Sequence, residues 1–519
     1  MFEVFVAAGA YAPATLPAGL AAQQNIAVLR LASAGWIGTV GGAPALYQPR
    51  LVGDVELSVG AMDALGLGGR AALAVAIAEA DDVDGLFADL ARYDTATGRA
   101  VAIRTATVVD SSASDAGTDY AGTSLAFAGV VASIDRAANR RARIIVADAT
   151  DRLNTPLQPT LYAGTGGLEG QADLKGRPKP VALGRCFNVA PVYLGNIDLG
   201  AGALPTYQTH WRGIQAHTSV RIRGVTQTLV GGVPTVGQAR DWPGYGALQL
   251  GGSPDGAVTA DVQGDAAGGY VEAGSAALRR LLESLGGGFV AGDFDSDAWT
   301  AAAADLPGAI GFYQGADVTS AQAAAEAILA GCGAILAGDR QGRLRLVDPF
   351  SADTTAQFDI QPWWIVALEP LPLPAAFAPL PRAIEIAWGR NWSPASDIAG
   401  AVTAADRARL ASPQSVARAE STTVTSRVAL QRSLSLPGLY ADEAAAQARA
   451  NRLRDWTARG PQAFRLVTDR YLGQMEVGML GQIAYPAYGL DAGIFGVVVA
   501  YRERIAARRL EITLVGVPS

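Results

Sequence analysis

The sequence predicts a mainly β fold with a smaller α/β module. The 519 residues include 61 glycines and 27 prolines spread along the chain, which is typical of many turns between short strands. Several runs alternate apolar and polar residues with the period of a strand, whereas helical spacing is clear in few places. In addition, one strand–turn–strand pattern occurs twice, once early in the chain and once at its C-terminal end.

Size and charge restrict the class of protein. The length exceeds what one ordinary core organises, so we expect about two to four domains. Hydrophobic residues make up 50% of the chain and charged residues 17%, against a usual charged share of about 25%. A surface so poor in charge is often partly buried against other subunits. The formal net charge is −7 and no basic run exceeds a pair of arginines, which argues against a nucleic-acid binder.

The cysteines and the apolar runs exclude several other classes. Cys186 and Cys332 lie far apart without CxxC spacing, so we expect two ordinary thiols and neither a disulfide framework nor a zinc site. No basic segment precedes the apolar residues at 1–6, so no secretory signal is expected. No apolar run reaches about 18 residues, so no membrane span is expected either.

Changes of composition divide the chain into five segments. Alternating runs at 55–59 and 101–109, followed by a hairpin pattern at 127–146, predict a first β domain. A later cluster of prolines is the best linker candidate. The predicted segments are a β domain over 1–153, an irregular, mostly β, Gly/Pro-rich region over 154–270, a small α/β module over 271–350, a Pro-rich linker over 351–381 and a C-terminal β domain over 382–519.

The α/β module is predicted from two helices and a hairpin. Residues 275–285 place apolar side chains at helical spacing, and Gly286 can end that helix. Thr319 with Gln322 forms a capping-box pattern before a second, alanine-rich helix. Two apolar runs around a polar Gly-containing turn follow and predict the hairpin, over residues 334–347.

The repeated pattern is the most informative feature of the sequence. Residues 127–146 align without gaps onto residues 495–514, with nine of twenty positions identical. The identical pairs are Phe127/Phe495, Val130/Val498, Val131/Val499, Ala132/Ala500, Arg136/Arg504, Ala138/Ala506, Arg140/Arg508, Arg141/Arg509 and Ile144/Ile512. Two interpretations remain open: strand–turn–strand units look alike in a chain rich in Ala and Arg, or the chain carries two copies of one β domain.

The histidines offer little for catalysis or metal binding. His210 and His217 are the only two, and they lie seven residues apart in a segment without helical pattern. A metal-binding pair on one helix needs a spacing of about three or four residues. No Gly-x-Ser-x-Gly motif accompanies them. We therefore expect solvated or packing histidines.

Two acidic stretches resemble calcium loops only at their start. Asp293, Asp295 and Asp297 alternate as the EF-hand requires, but alanines stand at the sixth and twelfth positions, which need Gly and Glu. We expect instead an N-cap for a helix around Trp299. The stretch 81–85 fails at its twelfth position too, and is expected to be a solvated acidic turn.

The remaining candidate binding features are weaker still. The glycine-rich residues 164–170 lack the Gly-Lys-Ser/Thr that a P-loop requires, because Lys175 is followed by Gly and Arg. Trp242 and the pair Trp363 and Trp364 could line a sugar groove but are expected to be core or interface anchors. Nothing marks a carboxylate pair for glycoside hydrolysis, whose separation is a property of the fold. We therefore assign no catalytic, cofactor-binding or metal-binding residue, and expect no cofactor.

Two separated regions resemble one family, the central tail hub or baseplate hub proteins of long-tailed bacteriophages. The first region contains Asp173–Leu174–Lys175–Gly176–Arg177–Pro178–Lys179–Pro180, then Gly184–Arg185, Asn188 and Pro191; the second contains Gly481–Gln482–Ile483, Tyr485–Pro486, Gly489–Leu490 and residues 495–516. The family often carries Asp at the position of Gln482, so the closing strands depart from its pattern there. The resemblance covers about half of the chain.

The resemblance implies a structural role. Hubs of this family are homotrimers with two β-barrel domains per chain, here the segments 1–153 and 382–519. They join the distal tail protein or tail tube above to a central spike or fibre below. They also contact other baseplate proteins and the tape measure protein, and they let DNA pass. The implied location is the virion tail tip, with the host cytoplasm before assembly. Two alternatives remain: a tail-associated enzyme that degrades cell wall or polysaccharide, seated in residues 271–350, and a carbohydrate-binding receptor protein.

Overall fold

The computed structural model shows a mainly β protein with a smaller α/β module, as the sequence predicts. The residues that the structure describes are 2–5, 28–40, 43–60, 69–70, 72–92, 97, 100–105, 124–200, 202–351, 355–430, 432–470 and 475–518. No helix among them is both long enough and apolar enough to cross a bilayer.

The strands within those residues are numbered in chain order. They are β1 (Phe2–Phe5), β2 (Val28–Leu31), β3 (Trp36–Val40), β4 (Ala43–Tyr47), β5 (Leu51–Gly60), β6 (Gly69–Arg70), β7 (Ala72–Asp81), β8 (Ala100–Thr105), β9 (Ser124–Ala137), β10 (Arg141–Ala147), β11 (Val181–Val189), β12 (Val192–Asp198), β13 (Ala203–Gln208), β14 (Ile214–Ile222) and β15 (Val225–Leu229). They continue with β16 (Gln238–Trp242), β17 (Ala247–Leu250), β18 (Val258–Asp265), β19 (Gly311–Gln314), β20 (Ile335–Gly338), β21 (Leu344–Val347), β22 (Phe358–Ile360), β23 (Ile365–Leu371), β24 (Ala383–Trp388), β25 (Ser415–Glu420), β26 (Ser433–Tyr440), β27 (Gln462–Thr468), β28 (Leu480–Ile483), β29 (Ile494–Arg504) and β30 (Arg509–Pro518).

The α-helices among the described residues are fewer than the strands. The α-helices are α1 (Leu86–Arg92), α2 (Gly274–Ser284), α3 (Ser296–Asp305), α4 (Ala321–Cys332), α5 (Ala404–Ala411), α6 (Thr422–Arg427) and α7 (Glu443–Ala458). Short 3-10 turns lie between strands, and none of the α-helices falls within residues 154–270.

Strands from both ends of the chain form one sheet of 13 strands, called the large sheet below. Its main order is β2-β1-β8-β9-β10-β7-β5-β29-β30-β27-β23, with β28 paired to β29 and to β22. The two ends meet where β5 pairs antiparallel with β29, from Gly60 opposite Ala500 to Glu56 opposite Arg504. The early and late β segments therefore share one continuous hydrogen-bonded surface.

One hydrophobic core lies against this sheet and receives side chains from both ends of the chain. In β10 the alternate residues Ala142, Ile144 and Val146 are buried in it, and in β30 Leu510, Ile512 and Leu514 take the same role. Burying a large aliphatic side chain stabilises a fold by about 1.5–3 kcal/mol. This shared core therefore holds the two strand groups together.

Residues 154–270 are more regular than their sequence indicates. They supply β11 to β18, which with β19 form a nine-stranded sheet. The pairing of β11, β12 and β14 is interrupted by bulges, for example between His217 and Ser219. A bulge shifts the side chains behind it to the other face, so the alternation that identifies a strand is not sustained.

The α/β module is confirmed in its elements, with one correction. Helix α2 and the hairpin β20–β21 lie where the pattern places them. The second helix, α4, begins at Ala321, and its N-cap is Ser320, whose side chain accepts a hydrogen bond from Ala323 N at 3.1 Å. The helix thus begins one residue later than the pattern predicts, and Ser320, not Thr319, lies three residues before the N–H group that the capping hydroxyl binds.

The segment 351–381 differs from a simple linker. It contains β22 and β23, and β23 pairs with β27 along an edge of the large sheet. Pro370 is accommodated in β23 because an edge strand needs its N–H groups on one side only. The following strands β24, β25 and β26 form a separate small sheet, and their buried residues pack in one cluster with those of the α/β module. The five-segment division itself remains a prediction.

Candidate functional site

The two hairpins of the repeated pattern both exist and lie in the large sheet. Strands β9 and β10 form the first and β29 and β30 the second, with β7 and β5 between them. Their turns end alike: the matched residues Arg140 and Arg508 have φ of 56° and 51°. Left-handed backbone is uncommon outside glycine, so its occurrence at matched positions supports a real correspondence between the turns.

The hairpins differ in register by one residue. Arg136 lies opposite Ala142, whereas its match Arg504 lies opposite Arg509. Equal registers would place Arg504 opposite Leu510, the residue that matches Ala142. The second strands keep the same buried alternation, but the first strands do not. Val131 is buried in the core of the large sheet, and its match Val499 is buried in the other main cluster. A shift of one residue reverses the faces of a strand, which explains the exchange.

The α/β module is joined to both hairpins by one residue, Arg340, at the turn between β20 and β21. Its carbonyl oxygen accepts a hydrogen bond from Ala128 N in β9 at 2.7 Å. Its Nη1 lies 2.5 Å from Oε2 of Glu503 in β29, and its guanidinium lies 5.0 Å from the ring centre of Tyr501. Arg340 is 3% exposed. We call Arg340, Glu476, Tyr501 and Glu503 the hub seam.

The hub seam holds two buried carboxylates around Arg340: Glu503 pairs with its guanidinium, and Glu476 accepts a hydrogen bond from its main-chain N–H. Glu476 Oε1 accepts from Arg340 N at 2.9 Å, and Arg340 Nε donates to Met475 O at 3.0 Å. Within the described residues, Glu476 Oε2 has no hydrogen-bond partner. Burial raises the pKa of Glu476 to about 7, although the Arg340 N–H and the charges of Arg345 and Arg340 lower it. A buried carboxyl that is readily protonated near neutral pH therefore lies at the junction of three elements.

Both histidines are buried and serve internal contacts. His210 Nδ1 accepts a hydrogen bond from Ala182 N at 3.0 Å, and burial lowers the pKa of His210 to about 4. His217 lies between Asp241, 2.6 Å from Nδ1, and Thr209, whose Oγ1 is 2.8 Å from Nε2. The expectation of packing histidines fits this geometry.

Sequence reasoning missed the hydrogen-bonded series Thr209–His217–Asp241. Its order matches that of a hydroxyl, imidazole and carboxylate triad. Thr209 is fully buried, however, and its hydroxyl also donates to Gly246 O at 3.2 Å. A nucleophile needs access to substrate, so these three residues form a structural hydrogen-bond network. Thr209 directly follows β13, whereas His217 lies in β14 and Asp241 in β16, so no local spacing marks them.

The acidic stretches cap helices. Asp295 is the N-cap of α3 and accepts from Ala298 N at 3.3 Å, which agrees with the expected helix around Trp299. Asp293 binds Arg152 at 2.9 Å. The turn at 81–85 is not merely solvated: Asp82 accepts hydrogen bonds from two N–H groups at the start of α1. No group of three or more His, Cys, Asp or Glu residues suited to a metal occurs in the described part of the chain.

The loop at 164–170 is also occupied internally. Gly164 N donates to Glu169 O and Gly166 N to Gly170 O, so these N–H groups point inward. Lys179 is buried and its Nζ lies 2.6 Å from Glu169 Oε1. The main-chain N–H groups and the ammonium group that a phosphate would need are therefore already bound within the protein.

The tryptophans and cysteines take ordinary positions. Trp242 Nε1 donates to Gln249 at 2.8 Å, and Trp364 packs against the core of the large sheet. Trp363 is 75% exposed, which suits an interface anchor. Both cysteines are free and buried, and burial raises the pKa of each to about 12.

Comparison with known proteins gives matches in structure only. No protein-family model matches the chain, and no curated protein does. Similar solved structures include the 43 kDa tail protein of prophage MuSo2 from Shewanella oneidensis, at 10% identity over 93% of this chain and 98% of that one, with a TM-score of 0.33. The tail protein from Neisseria meningitidis MC58 is 9% identical over 92% of this chain and 94% of that one, with a TM-score of 0.37.

A third similar structure is the E. coli c3393 protein, a type VI secretion system component described as similar to the T4 tail proteins gp27 and gp5. It is 8% identical over 94% of this chain and 77% of that one, with a TM-score of 0.28. All three are described as tail proteins or as similar to them. At these scores they lend no weight to an assignment, which must come from the chain's own residues.

Proposed function

We propose that the protein is a structural component of a bacteriophage tail tip, in which the large sheet forms a trimeric hub ring. The observation that carries the proposal is the position of the two related hairpins, which lie in one continuous sheet with only β7 and β5 between them and are both joined to the α/β module by Arg340. The sequence resemblance in two separated regions supports it. Two related units per chain would give three chains an approximately six-fold ring, as closed symmetry favours.

The large sheet offers an edge for such a ring. On its described path β23 is a terminal strand and pairs with β27 alone. Val366 in β23 and the neighbouring Trp363 are exposed. An exposed edge with apolar side chains favours pairing with another chain. We propose that the ring-forming unit comprises the strands of residues 1–153 with β23 and β27 to β30.

The remaining assignments belong to the same proposal. The ring would join the distal tail protein or tail tube to a central spike or fibre and contact other baseplate proteins and the tape measure protein. DNA would pass without being held, because a chain of net charge −7 offers phosphates little attraction. The chain would have no catalytic role, and would reside in the host cytoplasm before assembly and in the virion afterwards.

Mass measurement on the purified full-length protein tests the ring. A trimer has about 160 kDa, three times the chain mass of 53.3 kDa, as a closed three-fold assembly requires. Val366→Lys should shift the protein to 53.3 kDa because charge on an edge strand blocks pairing. Val318→Lys, at an exposed valine outside the large sheet, is the control. A monomer or a two-fold assembly of the unchanged chain would refute the ring, and particle imaging would show whether the chain lies on the tail axis.

The enzyme alternative has one structural feature in its favour. A cleft of about 550 Å³ beside the hub seam is lined by Asp295, Asp297 and Glu476, among others. Turbidity of purified cell walls tests it: clearing that Asp297→Asn abolishes would overturn the structural proposal. Asp293→Asn is the matched control, because Asp293 does not line the cleft. A pull-down with host cells tests the receptor alternative.

A further inference from the structure

Two exposed arginines outside the hub seam each stack on an aromatic ring. The Arg390 guanidinium lies 4.2 Å from the ring centre of Trp392, and that of Arg409 lies 4.3 Å from the ring centre of Phe187. Within the described residues neither guanidinium has an ion pair or a hydrogen bond. Burial alone lowers the pKa of Arg390, which is the expected effect of an unmatched charge.

Both arginines line one small cavity of about 200 Å³. It lies where β11, β14 and β18 of the nine-stranded sheet meet the loop after β24 and the end of α5. The other charges at the cavity are matched. Arg185 pairs with Glu272 at 3.2 Å and with Asp442 at 3.0 Å. Asp261 forms a bidentate salt bridge with Arg221, with N–O distances of 2.7 and 2.6 Å. The unmatched charge of the cavity is therefore positive.

The aromatic rings hold the two guanidinium groups in place. Trp392 is itself fixed by edge contacts with Phe312 and Tyr313, at 6.1 and 6.2 Å between ring centres. A planar guanidinium stacked on a ring keeps its N–H groups directed outward and loses little freedom on binding an anion. The stacking thus orients donors without neutralising their charge.

We propose that this cavity is a binding site for a small oxyanion, a carboxylate or phosphate group, held by Arg390 and Arg409. The guanidinium fork matches the paired oxygens of both groups. The side chains of Thr218 and Gln263 also line the cavity and can supply further hydrogen bonds. The cavity volume is large enough for one anionic group or a small acid, but too small to enclose a polymer. The site lies outside the hub seam and is independent of the proposed ring.

Isothermal titration calorimetry on the full-length protein at neutral pH tests the site, with inorganic phosphate and glucuronate as separate probes. We expect saturable binding of one probe per chain. Arg390→Gln and Arg409→Gln should each weaken it by about tenfold or more, the usual loss when one charge-assisted contact is removed. Arg470→Gln is the matched control, because Arg470 also stacks on an aromatic ring, Trp364, away from the cavity.

The two probes distinguish the source of the anion. Binding of phosphate alone indicates a free inorganic ion, and binding of glucuronate indicates a carboxylate carried by an acidic sugar. Arg390→Lys keeps the charge and removes the fork, so it should bind between the unchanged chain and Arg390→Gln. Absence of binding by both probes, or equal binding by the doubly substituted chain, overturns the proposal. Circular dichroism of each variant verifies that its fold is unchanged.

Discussion

Substitution of Glu476 by Gln should remove a specific part of the pH dependence of stability. Glutamine keeps the shape of the protonated carboxyl but cannot ionise. In the folded chain burial raises the pKa of Glu476 from its usual 4.5 to about 7. Ionisation then leaves a buried negative charge whose Oε1 accepts a hydrogen bond from the main-chain N of Arg340, while the Arg340 guanidinium pairs with Glu503.

The magnitude follows from the shift. A difference of roughly 2.5 pKa units corresponds to about 3 kcal/mol. Because the folded pKa is raised, the stabilising contribution is fully present below pH 4.5 and is lost as the pH rises through 7. Between pH 5 and 8 the unchanged chain should lose about 2–3 kcal/mol that Glu476→Gln does not lose. Asp339, Arg343 and Arg345 also face this carboxyl. Because the carboxyl is buried, salt should reduce the stability difference only slightly.

Urea unfolding at pH 5 and pH 8, followed by circular dichroism, measures the difference. The comparison must be between variants, because His210 acts in the opposite direction: its lowered pKa gives stability that is lost as the pH falls. Glu283→Gln, at a partly exposed glutamate that pairs with Arg279, is the control and should behave as the unchanged chain does. If Glu476→Gln and the unchanged chain respond equally to pH, Glu476 is not buried as described.

Three further predictions follow from the large sheet and its seam. Arg340→Met should lower the free energy of unfolding by about 3–5 kcal/mol, since it leaves the Glu503 carboxylate buried and unpaired. Adding Glu503→Leu to this variant should restore much of the lost stability, and no restoration would contradict the pairing of Arg340 with Glu503. Ile144→Ala and Ile512→Ala should each cost about 2–5 kcal/mol in thermal or urea unfolding, because both remove a buried side chain at matched positions of one core; a much smaller loss at either position would refute the equivalence. Both cysteines should resist a thiol reagent in the folded protein and react in urea, and rapid reaction of the native chain would show that they are accessible.

Local patterns predicted the local elements well. Helix α2, the helix around Trp299 and the hairpin β20–β21 each depend on neighbours within a few residues, so periodicity and capping residues identify them. The related turns at Arg140 and Arg508 were visible for the same reason. The edge strand β23 was missed because proline clusters usually mark loops, and only its position at a sheet edge makes Pro370 acceptable.

The mainly β class, the α/β module and the two matched hairpins follow from local sequence patterns. The pairing of β5 with β29, the difference of one register position between the matched first strands, and the contacts of Arg340 with Glu476 and Glu503 appear only in the folded chain. Strand pairing and buried ion pairs connect residues more than a hundred positions apart. Their partners are chosen by which faces can be buried together, and no local period records that choice.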